Sequence, residues 1–370
     1  VSDHRRRRAP RRRQSPCVLA VLEHSRRALS RTGGPPASES ASWGLGNRGM
    51  IVSHRVRLRH VLHQSGASLA YFAILSVGVY VLHYHAGLHI SLPFNGVAMM
   101  STALAIYLGF KANQAYDRWW EGRKIWGLLV NYSRAFGREV LTFVVPDETE
   151  SPEEVRAWQQ RLLRRHMAFV HGLRVFLREP NGYVRQREPL LPQPNTYEDM
   201  KDFLDPTEYS EVLAAKNPPN QLILHQGQEL KDASIRGWLS DYRFVQMSQT
   251  LTELNNHQGM AERIKNTPLP RPYTFYSRVF VFIHGTFVPF AFIEELTWLN
   301  IPLALAINFL FLSLDLVAHY TEDPFENRIA DVPLTAISLT IEENLKEMAR
   351  FEIPVAPLPR KPPPVEGVVF

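Results

Sequence analysis

The sequence predicts an all-α, membrane-spanning protein with four transmembrane helices in each chain. Three observations carry this expectation. Residues 60–110 contain no Asp, Glu, Lys or Arg, and neither do residues 279–293 or 296–314. These gaps match the roughly 20 mostly apolar residues that a helix needs to cross a bilayer. The rest of the chain repeats its apolar residues at steps of three and four, with little alternation of the strand type. A buried soluble core is the competing explanation, but a soluble surface needs charges far more often than once in 51 residues.

The overall balance hides this division. The 370 residues hold 42 Lys plus Arg and 36 Asp plus Glu, a net charge of +6. The first 49 residues alone hold 11 Arg against 3 acidic residues, so the remainder is slightly acidic. The basic isoelectric point therefore gives no support for a nucleic-acid-binding body, and no nucleic-acid partner is expected. Cys17 is the single cysteine, which excludes an internal disulfide framework and cysteine-based zinc sites. The mean hydropathy of −0.20 averages a polar half with a strongly apolar one.

In chain order, residues 1–49 are expected to be disordered and Arg-rich. They read either as an organelle-targeting segment or as sequence upstream of a start at Met50. Residues 50–111 hold a basic approach segment and two membrane helices, near 68–84 and 95–110, linked through Pro93. Residues 112–276 form a cytosolic region of long amphipathic helices. Ser151-Pro152-Glu153 starts one, Glu179-Pro180-Asn181-Gly182 ends it, and Val155, Trp158, Leu162, His166, Phe169, Leu173 and Phe176 form its apolar stripe. A Pro-rich loop covers 185–206, Asp205-Pro206 starts another helix, and a further helix spans about 239–265. Residues 277–318 hold the third and fourth membrane helices, residues 319–350 a cytosolic loop and helix, and residues 351–370 a Pro-rich tail of polyproline II type. Arg55, Arg57 and Arg59 precede the first membrane helix, and Lys111, Arg118, Arg123 and Lys124 follow the second. Neither hairpin tip has a Lys or Arg, so both termini should face the cytoplasm.

Phosphate-binding, nucleophile-elbow and zincin motifs are missing from the sequence, and no enzyme is expected. His83, His85, His89, His284 and His319 lie in or beside the apolar stretches. They leave open a bis-His haem redox protein, although packing histidines account for them as well. In the second membrane helix, Thr102, Ile106 and Phe110 form one stripe, and Ser101, Ala105 and Gly109 form an adjacent stripe of small residues suited to close helix packing. The first stripe is core in a monomer. Around a symmetry axis it lines a narrow apolar channel. Asp315, within the fourth membrane helix, is either a functional intramembrane carboxylate or a polar contact near the inner interface.

The segment Gly109-Phe110-Lys111-Ala112-Asn113 through Tyr116, Arg118-Trp119-Trp120-Glu121 and Arg123 to Gly127 resembles the hallmark segment of the bestrophin family, in its bacterial and plant-organelle branch. Glu262-Arg263-Ile264-Lys265-Asn266-Thr267-Pro268 and Glu322-Asp323-Pro324-Phe325 resemble two further segments of that family, and the similarity spans about residues 50–350. The resemblance implies a homopentameric channel that passes small inorganic ions through one axial pore, seated in the bilayer and needing no cofactor. Its neck falls on Thr102, Ile106 and Phe110, and Val245 falls in the cytosolic pore region. A bacterial inner membrane, or a plant organelle membrane, is the implied location.

Three departures stand out. Thr102 is polar where an apolar residue is usual, and Lys111 replaces the usual Arg. The positions matching the calcium-binding loop of animal members read Glu326-Asn327-Arg328, with only Asp331 in place. Arg328 is expected to pair with Asp331 or Glu326 and to oppose a divalent cation, so no metal site is expected there. The neck has no charged ring, so anions are favoured by resemblance alone and monovalent cations stay open. A non-conducting membrane scaffold, with the polar helices and the Pro-rich tail binding partners, is the third alternative.

Overall fold

The computed structural model describes residues 58–145, 151–180, 196–328 and 330–349. The expectations for the Arg-rich segment 1–49, for Arg55 and Arg57, for most of the loop at 185–206 and for the Pro-rich tail lie outside these residues.

The described residues are helices and their connections, with no strand among them. Helix α1 runs Leu58–Tyr84 and ends where Gly87 takes a left-handed φ of 68°, a conformation that costs glycine little. Helix α2 begins after Pro93 and runs unbroken over Phe94–Thr142, 49 residues. The boundary expected at 111/112 is therefore not a break. No proline interrupts the segment, and Ala112, Gln114, Ala115, Glu121 and Lys124 favour a continuing helix. Helix α3, Pro152–Arg178, starts as its cap predicts, with the Ser151 hydroxyl accepting the Glu153 N–H at 3.2 Å.

A 3-10 turn at Tyr197–Phe203 occupies part of the segment expected to be loop. Helices α4 (Pro206–Ala214) and α5 (Pro218–Ile235) follow, separated because Pro218 and Pro219 cannot continue a preceding helix. Helices α6 (Asp241–Asn266), α7 (Arg271–Leu296), α8 (Asn300–Thr321) and α9 (Leu334–Ala349) complete the described set.

Two packing layers result. In the apolar layer, the first part of α2 packs on α7 and α8, and α1 packs on the same two helices. Leu104 and Leu108 meet Val281 and Phe311, and Val97 meets Val288, Ala291 and Ala304. Pro289 lies inside α7 and has no N–H to offer the Gly285 carbonyl. Asn308 of α8 supplies the missing donor at 3.3 Å, and Asn300 donates to the Pro289 carbonyl at 2.8 Å. Gly285 also permits close approach, since a Cβ there would lie 2.5 Å from the Phe72 ring. In the polar body, the second half of α2 packs against α3, α6 and α9 through Trp126, Leu129, Phe136, Phe169, Leu254 and Leu345.

Candidate functional site

The long helix α2 shows two different faces in its apolar part. Leu104 and Leu108 are buried, whereas Thr102, Ile106 and Phe110 point away from the chain's own helices, Ile106 with 56% and Phe110 with 62% of its surface exposed. The Thr102 hydroxyl donates to the Ala98 carbonyl of its own helix at 3.0 Å, so its polar hydrogen is already satisfied locally. The adjacent small stripe does not behave as one packing surface within this chain. Ser101 meets His284 Nε2 at 2.6 Å, but Ala105 and Gly109 are exposed. Leu104, Leu108, Lys111 and Ala115 form the buried face instead, so the two stripes lie side by side on the face turned away from it.

Directly after Phe110, the Lys111 ammonium is buried among α7 and α8. It donates to Ser277 Oγ and to Asp315 Oδ1, each at 2.8 Å, and the Ser277 hydroxyl lies 2.8 Å from the same carboxylate oxygen. Arg278 approaches the other Asp315 oxygen at 3.7 Å from a half-exposed position. Asp315 is thus the shared acceptor of an ion cluster that joins α2, α7 and α8.

The three motif segments of the sequence converge below this cluster. Arg118 donates to the carbonyls of Ile264, Thr267 and Glu322, at 2.5, 2.5 and 2.7 Å, and so closes the C-terminal ends of both α6 and α8. Asp323 lies 3.8 Å from the same guanidinium. Trp119 donates its indole N–H to the Ala330 carbonyl at 3.0 Å, and Tyr116, Trp119 and Trp120 stack on one another. Glu121 pairs with Arg263 at 2.7 Å, and the Phe325 ring sits where a Cβ on Gly122 would come within 3.1 Å. Asn113 is exposed on α2, and the Arg123 guanidinium reaches one turn forward along the helix to lie beside Gly127.

The loop after α8 departs from expectation in its partners. Glu326 pairs with the buried Lys265 at 2.6 Å, not with Arg328. The Arg328 contact to Asp331 Oδ2 comes from its backbone N–H, at 3.0 Å. Asn327 holds a φ of 61°, a left-handed position that asparagine tolerates, so its role here is to turn the chain. Burial pushes the Asp331 carboxyl up to about 7 and also raises Asp323. Val245 lies exposed on α6, far along the chain from the α2 stripe. His85 and His89 do not share a helix face, because α1 ends at Tyr84.

Sequence reasoning missed the partners of the polar body. His171 bonds Glu342 at 2.9 Å and Lys346 bonds the same carboxylate, which ties α9 onto α3. Burial alone would raise the Glu342 carboxyl, but these two bonds outweigh it and hold it below its usual range. Arg165 bridges Glu208 and Glu229. No spacing signal marks His171 with Glu342 or Arg165 with Glu208 and Glu229, since their members lie on different helices; Lys346 and Glu342 alone stand four apart on one helix.

Residues 53–347 match the family model for the bacterial and fungal bestrophin protein. The voltage-dependent anion channel-forming protein YneE of Salmonella typhi is 32% identical over 322 residues, covering 84% of this chain and 98% of that protein. The protein of the same name from Escherichia coli K12 is 32% identical over 301 residues, covering 81% and 91%. The crystal structure of a bacterial bestrophin homolog from Klebsiella pneumoniae superposes with a TM-score of 0.67 at 28% identity, covering 77% of this chain and 98% of that one.

Proposed function

The chain belongs to the bacterial and fungal bestrophin family, and from that premise we propose that it forms a homopentameric channel for small anions. The observation that carries the proposal is the uncovered stripe of Thr102, Ile106 and Phe110. It lies on a helix whose opposite face is fully packed within the chain. In a lipid bilayer the apolar parts of α1, α2, α7 and α8 cross as four spans, with both termini on the cytoplasmic side of a bacterial inner membrane. Five copies of the stripe then surround the axis as an apolar neck that gates by dewetting. The exposed Ala105 and Gly109 give a neighbouring subunit the close approach that small residues allow, and Val245 lies on the cytosolic part of the pore. Anions are preferred because the relatives named above carry the name of anion channel-forming proteins. Conduction is passive, and the chain carries out no covalent chemistry.

Planar-bilayer recordings under asymmetric NaCl test the reading. The reversal potential should move toward the chloride equilibrium potential. Ile106→Ala with Phe110→Ala should widen and wet the neck and raise conductance or open probability. A sodium-directed reversal potential overturns the anion preference, and unchanged currents in an intact double variant place the pore elsewhere.

A further inference from the structure

At the end of α1 opposite the basic approach segment, Gly87 turns the chain back over the last helical turn. The Leu88 N–H reaches the Leu82 carbonyl at 3.1 Å, and His89 is laid beside His83. The two imidazole centres are 5.5 Å apart and the rings are inclined at 83°. We propose that His83 and His89 together bind one borderline divalent transition-metal ion of the zinc class.

The spacing is compatible with one shared ion. With nitrogen–zinc bonds of about 2.0–2.1 Å and a tetrahedral angle, two imidazoles on one ion hold their centres roughly 5 Å apart. His83 is 93% buried, and its Nδ1 atom has no hydrogen-bond partner. An orphaned polar atom in a buried ring is uncommon and calls for a ligand or water. The pair also lies at the C-terminal end of a 27-residue helix, where the helix dipole favours a cation. Imidazole ligands without a carboxylate select zinc, nickel or copper over magnesium or calcium. The described residues contain no cluster of three or more such ligands, so water completes the coordination and binding is reversible. The ion would fasten the 85–93 connection to the end of α1. That connection leads directly into α2 and is itself held to α7 by the Leu92 N–H on the Phe290 carbonyl at 3.1 Å.

Isothermal titration of the detergent-solubilised full-length protein with ZnCl2 tests this site. One ion per chain is expected. His89→Ala and His83→Gln should each weaken binding at least as much as the roughly 10–100-fold that loss of an outer-shell partner costs. His225→Ala, in the polar body, should leave binding unchanged. His89 is exposed, so its variant keeps the fold even if the His83 variant does not, and size exclusion confirms this. Electron paramagnetic resonance of the Cu2+-loaded protein should show coupling to two imidazole nitrogens, falling to one in His89→Ala. Wild-type zinc affinity in His89→Ala, equal affinity for Mg2+, or a copper spectrum unaffected by that substitution overturns the proposal.

Discussion

Replacing Lys111 by Met should destabilise the protein more than any single change on the exposed face of α2. Lys111 and Asp315 are 1% and 6% exposed at their side chains and bond at 2.8 Å. Removing the ammonium leaves a carboxylate in the apolar layer with the Ser277 hydroxyl at 2.8 Å and Arg278 at 3.7 Å. Breaking a buried pair by deleting one partner costs about 3–5 kcal/mol, because the remaining charge is uncompensated. Arg278 relieves part of this, so the loss should lie near the lower bound, about 3 kcal/mol. Arg278→Met alone should cost under about 1 kcal/mol, since its side chain is half exposed to solvent screening. The double variant Lys111→Met with Asp315→Leu removes both charges and should recover most of the loss, which gives a large favourable coupling in the cycle. SDS-titrated unfolding of the detergent-solubilised protein, followed by tryptophan fluorescence, measures all four species. A Lys111→Met midpoint equal to wild type, or a double variant as weak as the single, refutes the account of this cluster.

Three further outcomes follow from the geometry. The folded Asp331 carboxyl titrates near 7, above its ordinary value of about 3.9, so the folded state holds a proton that the unfolded state has released. Its contribution is fully present below about pH 4 and is lost as pH rises to about 7; Asp331→Asn should abolish that component of the stability–pH curve and stabilise the protein above pH 7. The buried His166, held neutral down to about 4 by burial, gives the opposite slope between about 6.5 and 4, so the difference between wild type and Asp331→Asn isolates the carboxyl. Arg118→Lys should cost at least about 2 kcal/mol in the same unfolding assay, because a single ammonium cannot serve three carbonyls in the guanidinium's fork. Gly285→Ala should lower the thermal midpoint of the solubilised protein, since its methyl would press on Phe72 and on Asn308, the donor that compensates for Pro289.

The helix inventory was legible because its signals are local. Ser151 with Pro152 capped α3, charge gaps marked the apolar helices, and Asp205-Pro206 opened α4. The boundary expected at 111/112 does not end a helix, because a helix needs a cause to stop. No such cause lies between Gly109 and Thr142, so α2 passes through the expected boundary. The stripe of Thr102, Ile106 and Phe110 was also legible, because period alone places it on one face. What the spacing could not supply was partnership. Lys111 with Asp315 and Lys265 with Glu326 are separated by 204 and 61 positions, and only the packed fold brings them together. Ala105 and Gly109 illustrate the converse, since a small-residue pattern identifies a surface able to pack but not the chain that packs on it.

The unbroken α2 has a mechanical consequence. At 1.5 Å per residue it is a rod about 74 Å long, and Arg118, with 24 residues on each side, lies at its midpoint. For any rigid tilt of the rod about the three carbonyl bonds of Arg118, these bonds are the fulcrum. Phe110 stands about 12 Å above that fulcrum and Thr142 about 36 Å below it, a lever ratio of about one to three. A sideways shift of about 3 Å at the C-terminal end would tilt such a rod enough to carry the Phe110 ring about 1 Å, in the opposite direction. Displacements too small to rearrange the polar body would thus reach Phe110 reduced but coherent, with no intermediate element needed to relay them.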